Sequence, residues 1–355
     1  MSAAECAEEH GELRWYRDTP VVLMLDKACF LFYMTTYFIT GGLGFLGQYI
    51  VKAIHDHDPE AELRVLVRTR RSTHLRVEDL DRIRWISGEL TVPETFAAQL
   101  QGVNTVIHNA ALISYLKADA EAVYRANVIG TRNLMRAALE AGCQNFIFIS
   151  SISAMDFRPP QLTEETMLPN LEKKRLNDMY GFSKIASEME LKEVKERLRV
   201  IILNPSVILG PGSKDVDRTT KALRFLPILP MLQYINSFVD VRDVARAVVL
   251  ALSKGRSGER YIVTGTNIKM VEFTQTILRL MNKRALIIPL ASRGVQIMDT
   301  LLSALTALRL NPGIRRLTDM NIDKPCSAEK IEREMGWESV FSLEQTLIDS
   351  LNRAA

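Results

Sequence analysis

The sequence predicts a doubly wound α/β fold: a parallel sheet covered by helices on both faces, with a smaller helix-rich unit toward the C-terminus. Three observations carry that expectation. Short apolar runs alternate with longer segments of helical period from residue 37 to residue 203. The runs are apolar throughout rather than alternating, which suits strands covered on both sides. Glycines at 41, 44 and 47 stand directly between the first run and the first helical segment.

Taken in order, strands are expected at 37–40, 63–67, 83–87, 105–109, 145–150 and 200–203. Helices are expected between them at 48–57, 93–100, 120–141 and 180–197. Such units require right-handed crossovers. Pro205, Pro211, Pro227 and Pro230 then punctuate a loop-rich stretch. A helix is expected next at 240–252 with Asp240 as its cap, and a strand at 260–264. Further helices are expected at 271–281, 295–308 and from Ser327 to Met335, with Ser327 as the last cap. We expect a nucleotide-binding domain from residues 34–205 and 238–265. A substrate-binding unit from residues 206–237 and 266–355 should lie over the carboxyl ends of the strands, where open α/β sheets bind ligands.

Residues 1–33 fit neither part. Their apolar portion, Val21 to Tyr33, is interrupted by Asp26 and Lys27 and is too short to span a bilayer. It lacks the basic start and small-residue cleavage site of a secretory signal. The expectation is an extension that is not native, with Met34 as the natural start. A membrane-surface anchor is the alternative.

Composition narrows the function classes. Hydrophobic residues make up 47% and charged residues 25% of 355, which suits a globular protein with a sizeable core. A net charge of +3, with its basic residues scattered, gives no footprint for nucleic acid. Cys6, Cys29, Cys143 and Cys326 form no CxxC pair, so reduced thiols and a cytoplasmic location are expected. His55 and His57 flank Asp56; an exposed polar helix end explains them without a metal.

The glycine triplet Gly41, Gly44 and Gly47 comes after Thr40 and opens a helix. Gly41 permits a tight turn, Gly44 lets a ligand approach the backbone, and Gly47 lets the helix pack on its strand. The helix start offers unpaired N–H groups and the positive end of its dipole, which suits a pyrophosphate. In dinucleotide sites a carboxylate about 20 residues on grips the ribose for NAD, whereas an arginine accommodates the extra phosphate of NADP. Here Arg68, Arg70 and Arg71 come after the second strand and no carboxylate lies between Leu63 and Arg71. That favours NADP, with NAD the alternative. Glu89 lies just beyond the third strand, where a carboxylate can meet an adenine amino group. Ala110 and Ala111 end the fourth in small side chains that leave room for a cofactor.

Tyr180 and Lys184 stand four apart at the start of a helix and share a face. An ammonium beside a phenol favours the phenolate and lowers its pKa, so the expected pair is a proton donor and its activator. Ser151 ends an upstream strand, and strand ends on one side of a parallel sheet converge. Its hydroxyl can then bond a substrate oxygen as charge develops.

With these pieces in place the chain resembles the extended short-chain dehydrogenase/reductases. The matching segments are Thr40 to Gly47, Val106 to Ala111, Asn127 to Leu134, Ser150-Ser151, Tyr180 with Lys184, and Phe238 to Ala245. The resemblance implies a Rossmann fold, hydride transfer between nicotinamide and a carbonyl carbon, and Ser151, Tyr180 and Lys184 as catalytic residues. It implies that Asn127 supports the cofactor and the active-site geometry. The expected cofactor-binding set is Gly41, Gly44, Phe45, Leu46, Arg68, Glu89, Leu90, Ala110, Ala111, Asn127, Tyr180, Lys184 and Pro205. A homodimer through the helices at 120–141 and 180–197 is implied by the same resemblance.

The stretch from Leu203 to Gly212 bears on the branch. Nucleotide-sugar epimerases and dehydratases usually carry arginine where Asn204 stands and asparagine where Val207 stands. The pattern is more similar to the dihydroflavonol-reductase-like and 3β-hydroxysteroid-dehydrogenase-like branches, which handle apolar carbonyls and alcohols. Leu223 to Leu232 either lines such a pocket or packs the second unit on the sheet. Three functions result: an NADP-dependent reductase or dehydrogenase of a hydrophobic small molecule, a nucleotide-sugar epimerase, or a dinucleotide-sensing protein without chemistry. The intact Ser151, Tyr180 and Lys184 speak against the third.

Overall fold

The structure is a computed structural model and describes residues 21–25, 28–32, 35–73, 75–156, 161–166, 170–290, 295–297, 299–300 and 322–354. A separate unit ending at Thr35 contains an antiparallel hairpin of β1 (Val21–Leu25) and β2 (Ala28–Phe32).

The main body begins at Thr36. Its strands are β3 (Thr36–Thr40), β4 (Glu62–Val67), β5 (Ile83–Ser87), β6 (Thr105–His108), β7 (Asn145–Ile149) and β8 (Arg199–Pro205). Beyond these come β9 (Val207–Leu209), β10 (Ile228–Met231), β11 (Ile235–Asp240), β12 (Arg260–Val263), β13 (Thr266–Lys269) and β14 (Leu286–Pro289). The helices are α1 (Phe45–His57), α2 (Ala120–Tyr124), α3 (Gly130–Glu140), α4 (Leu171–Asn177) and α5 (Met179–Lys192). They continue as α6 (Lys214–Phe225), α7 (Val241–Lys254), α8 (Met270–Leu280), α9 (Glu329–Met335) and α10 (Leu343–Ala354).

Seven strands form one parallel sheet in the order β12-β8-β7-β6-β3-β4-β5. Strand residues point alternately to the two faces, and the core divides accordingly. Ile39, Val65, Ile107, Ile147 and Ile201 pack with α1 and α7 on one side. Phe38, Val106, Phe146, Phe148 and Ile202 pack with Leu134 of α3 and Leu191 of α5 on the other. The chain moves outward from β3 to β5, then returns to place β6 on the opposite side of β3. The adjacent connections of β3 and β6 therefore leave in opposite directions and open a crevice at the strand ends.

Several expectations change in the structure. The stretch at 93–100 is two 3-10 turns rather than one helix. Thr95 Oγ1 donates back to the Val92 carbonyl at 2.7 Å, and Phe96 turns inward against Phe38. The stretch at 120–141 is not a continuous α-helix: Arg125–Ile129 forms a π turn between α2 and α3. The proline-rich stretch contains α6, whose Val216, Thr220 and Leu223 face inward at helical spacing. The expected strands also lack β9, β11 and β13, which form a three-stranded sheet of their own. Leu223 and Leu229 pack in a core with Phe238 and Phe273, Phe225, Leu226 and Ile228 are exposed, and no residue of the 223–232 segment lines the cleft at the strand ends. The helix expected at 295–308 lies largely outside the described residues. Asp240 caps α7 by accepting from Arg242 N at 2.8 Å, and Ser327 Oγ accepts from Glu329 N at 3.2 Å before α9. Among the described residues, no helix is long and apolar enough to cross a membrane, and no cluster of His, Cys, Asp or Glu could hold a metal ion.

Candidate active site

The crevice is a cleft of about 1480 Å³ at the carboxyl ends of the strands. It is lined by Gly41, Gly44, Phe45, Leu46, Arg68, Glu89, Leu90, Ala110, Ala111, Ser151, Tyr180, Lys184 and Pro205. Asn127 alone of the expected set does not line it.

The glycine turn is close-packed. Gly41 has φ +71°, and a Cβ there would lie 2.8 Å from Ala110 N. Gly44 N donates to the Gly41 carbonyl at 2.9 Å. A Cβ on Gly47 would lie 1.9 Å from the same carbonyl oxygen, so the helix can start only where that residue has no side chain. Gly44 caps α1 without a side-chain hydrogen bond, and Gly44, Phe45 and Leu46 face the cleft. Open amides at a helix start beside a wall of alanines fit a pyrophosphate.

The three arginines after β4 part company. Arg70 donates to the Glu78 carbonyl at 3.1 Å and lies 5.3 Å from the Trp85 ring, away from the cleft. Arg71 lines the cleft and donates to the Leu43 carbonyl at 3.1 Å, bracing the glycine turn. Arg68 is exposed on the cleft wall. Glu89 is exposed in a turn whose geometry is held by Thr95 and by Asn133, which donates to the Leu90 carbonyl at 3.0 Å.

Beneath the cleft, His108 Nδ1 lies 2.7 Å from Thr40 Oγ1 and Nε2 lies 2.8 Å from Thr131 Oγ1. Thr131 donates its proton to the Asn127 carbonyl, so the imidazole must donate from Nε2 and accept at Nδ1. Burial, then the charge of Lys184, pushes its pKa down to about 3, and the ring is neutral. Asn127 sits in the π turn. Its Nδ2 donates to Leu112 O at 3.0 Å and to Ser183 Oγ at 2.9 Å, while its Oδ1 accepts from Leu112 N at 2.7 Å. Its amide therefore fastens the cleft loop at Leu112 to α5. A π turn at such a position is a recurrent device of functional helices.

At the other end, Ser151, Tyr180 and Lys184 meet. Ser151 Oγ accepts from Ser153 N at 3.1 Å, leaving its own proton to donate elsewhere. Lys184 Nζ donates to the Ile149 carbonyl at 2.7 Å and lies 4.8 Å from the Phe148 ring centre. Burial pushes its pKa down to about 7, opposed by the charge of Glu188. The expected acidification of Tyr180 by Lys184 is not what the structure has. Burial raises the phenol pKa, Tyr115 and Asp178 add to that, and the hydrogen bond from Ser151 opposes it. Sharing a helical face sets the two side chains on one side of the cleft, but desolvation outweighs any pull from an ammonium committed to a backbone carbonyl.

The family model described as "NAD dependent epimerase/dehydratase family" matches residues 37–264, which include every residue of this cleft that stands before β13. The chain belongs to that family. The chain is accordingly an NAD(P)-dependent oxidoreductase of hydroxyl and carbonyl groups. A Synechocystis protein provisionally named dihydroflavonol 4-reductase is 34% identical over 245 residues, 66% of this chain and 69% of that protein. Sterol demethylase protein B of Methylococcus capsulatus is 27% identical over 85% of this chain and 93% of its own length. Among solved structures, gox2253 superposes with a TM-score of 0.75 and 25% identity, over 90% of this chain and 97% of that one.

One residue of this family member's site has no place among the sequence-based expectations. A Cβ on Gly181 would lie 2.5 Å from the Ser153 carbonyl oxygen and from Asp178 Oδ2, so this glycine sets how closely the Ser151 turn approaches α5. Its place directly after Tyr180 is the available signal. Gly181→Ala is expected to lower kcat by about tenfold or more, since a shift of about 1 Å can cost about 100-fold, with little change in dinucleotide affinity. Steady-state kinetics and a fluorescence titration with NADPH check this.

Proposed function

We propose that the chain is an NADP(H)-dependent oxidoreductase that transfers a hydride between nicotinamide and a hydrophobic hydroxyl or carbonyl compound of dihydroflavonol, steroid or aldehyde type. The observation that carries this is the convergence of Ser151, Tyr180 and Lys184 on the cleft that begins at the glycine turn. Gly44, Phe45 and Leu46 would hold the pyrophosphate, Arg68 the added phosphate of NADP, and Lys184 the nicotinamide ribose. The bound nicotinamide supplies or accepts the hydride.

The chain's own residues handle the oxygen. Ser151, which gives its proton to the Tyr180 hydroxyl when no substrate is bound, donates it to the substrate oxygen and orients that oxygen. Tyr180 delivers a proton to that oxygen as negative charge builds there. A phenol whose pKa is raised by burial is protonated at neutral pH, which suits carbonyl reduction over alcohol oxidation. Lys184 places a positive charge one helical turn from the phenol. Ile113, Tyr115, Val207 and Ile208 give the substrate side of the cleft an apolar wall, with Asp215, Arg218, Asn236 and Lys324 lining it as well, and the Tyr115 ring stands edge-on to Tyr180 at 6.0 Å. The names of the relatives from Synechocystis and Methylococcus support an apolar, ring-bearing substrate.

A nucleotide-sugar epimerase is the weaker reading. Asn204 is fully buried and directs its amide to Ser151 O and Glu188, and Val207 offers no hydrogen bond to a sugar nucleotide. A homodimer through α2, α3 and α5 and a cytoplasmic location complete the proposal; light scattering tests the former.

The test is net NADPH oxidation with a panel of dihydroflavonols, 3-ketosteroids and aromatic aldehydes, beside UDP-sugars. No net oxidation with any carbonyl would overturn the reading. Arg68→Asp is expected to lower the ratio of kcat/KM for NADPH over NADH by about 10- to 100-fold, the worth of a charge-assisted hydrogen bond. An unmoved ratio would shift the phosphate contact to Arg71.

A further inference from the structure

One buried carboxylate has no part in the mechanism above. Glu188 is 1% exposed and lies one helical turn beyond Lys184 on α5. Its Oε1 accepts from Ser150 Oγ and from Asn204 Nδ2, the latter at 2.7 Å. The same Asn204 nitrogen donates to the Ser151 carbonyl at 3.1 Å. Both acceptors fix which end of that amide is nitrogen. Glu188 Oε2 accepts no hydrogen bond and lies 3.8 Å from Arg260 Nε.

A carboxylate in such a place is expensive. A buried ion pair with one oxygen lacking a hydrogen bond stabilises a fold poorly compared with well-packed apolar side chains. The arrangement makes sense if the charge acts on a neighbour. The charges around Lys184 leave one candidate among the described residues. His108 on β6 is neutral between two threonines, and Tyr180 is protonated. Arg260 on β12 and Lys192 on α5 are cations facing Glu188. Glu188 is the anion that acts on Lys184.

We propose that Glu188 is a positioning residue for the reaction: it fixes the Ser150–Ser151 strand end against α5 and supplies the counter-charge for the Lys184 ammonium. Its two roles meet in one side chain: it reaches the serine strand end through Ser150 and Asn204, and its charge acts on Lys184 from one helical turn away. The proposal rests on the reductase reading for its consequence in turnover, but not for its direct measurement.

The direct measurement is a titration of the ligand-free, full-length protein labelled with [ε-13C]lysine, with the Lys184 signal identified by its loss in Lys184→Arg. Glu188→Gln retains the shape and the acceptor oxygen but removes the charge, and is expected to lower the Lys184 midpoint by about one pH unit. Arg260→Gln removes a cation that neutralises Glu188, and is expected to move the midpoint up. Carbonyl reduction should change in step: activity that needs the ammonium is lost as pH rises through its pKa, so the alkaline limb of kcat shifts down in Glu188→Gln and up in Arg260→Gln. If only one variant folds, that variant decides. An unmoved midpoint, or a moved midpoint with an unmoved alkaline limb, overturns the proposal whatever happens to the melting temperature. The titration stands even if the wild type reduces none of the carbonyls above, an outcome that counts against the reductase reading alone.

Discussion

Tyr180→Phe is expected to lower kcat for carbonyl reduction by about 100- to 10,000-fold, the usual contribution of a positioned general acid, while dinucleotide affinity stays near that of the wild type. The substitution removes one oxygen and keeps the ring. That ring is buried at 7% exposure and packs edge-on against Tyr115, and phenylalanine preserves both relations. Fold and cofactor site should therefore survive, and the loss should fall on kcat and kcat/KM alike, as for an interaction made only in the transition state. Ser151 cannot take over the task. An aliphatic hydroxyl is too weak an acid to protonate a developing alkoxide at neutral pH. Single-turnover kinetics with saturating NADPH measure the chemical step directly. Turnover within about tenfold of the wild type would move the proton donor to water or another group.

Gly47→Ala is expected to be the most damaging single methyl group in the glycine turn. The added carbon would sit 1.9 Å from the Gly41 carbonyl oxygen and 2.8 Å from Gly42 Cα, both backbone atoms. No side-chain rotation relieves that overlap. Either α1 moves off β3, opening the core around Ile50 and Ile54, or the turn at Gly41 opens and withdraws the amides of Phe45 and Leu46. Overpacking of this kind costs about 3 kcal/mol, which lowers Tm by roughly 4 °C in a protein of this size. Dinucleotide affinity should fall by at least about tenfold, since a loss of about 1.4 kcal/mol in binding suffices. Differential scanning calorimetry with and without NADPH separates the two effects. A variant of normal stability that binds normally would mean the turn is far softer than its close packing indicates.

The central sheet is legible in the sequence because its strands are apolar runs bounded by glycine or polar turns, and the strand at 83–87 has the expected bounds. Residues that line the cleft are legible for a different reason: they sit at strand ends or on the first turn of a helix, where topology alone brings them together. Each feature that is not legible has a physical cause. The helix α6 is masked by prolines on either side and by the charged Asp215, Asp217 and Arg218, which interrupt its inward stripe. Phe96 breaks an expected helix because a buried ring against Phe38 outweighs local propensity. The tyrosine–lysine spacing implies that the two side chains share a face, but not that burial dominates the phenol. Asn127 falls in a motif that suggests a cofactor ligand, yet its amide is committed to Leu112 and Ser183. Long-range partners such as Asn204 and Glu188, 16 positions apart, leave no periodic trace.

The π turn at Arg125–Ile129 gives the chain a ratchet. Each residue added to or removed from a helix rotates everything beyond it by about 100°. A wide turn holds one residue more than the same length of α-helix, so its presence is already counted in the phase of the helix C-terminal to it. Leu134, Met135 and Ala138 meet the sheet only with that extra residue in place. A one-residue deletion between Arg125 and Ile129 would straighten the helix locally and swing those three side chains toward water. The tolerance of this segment to changes of length should thus be far lower than its tolerance to changes of identity at the exposed Arg125.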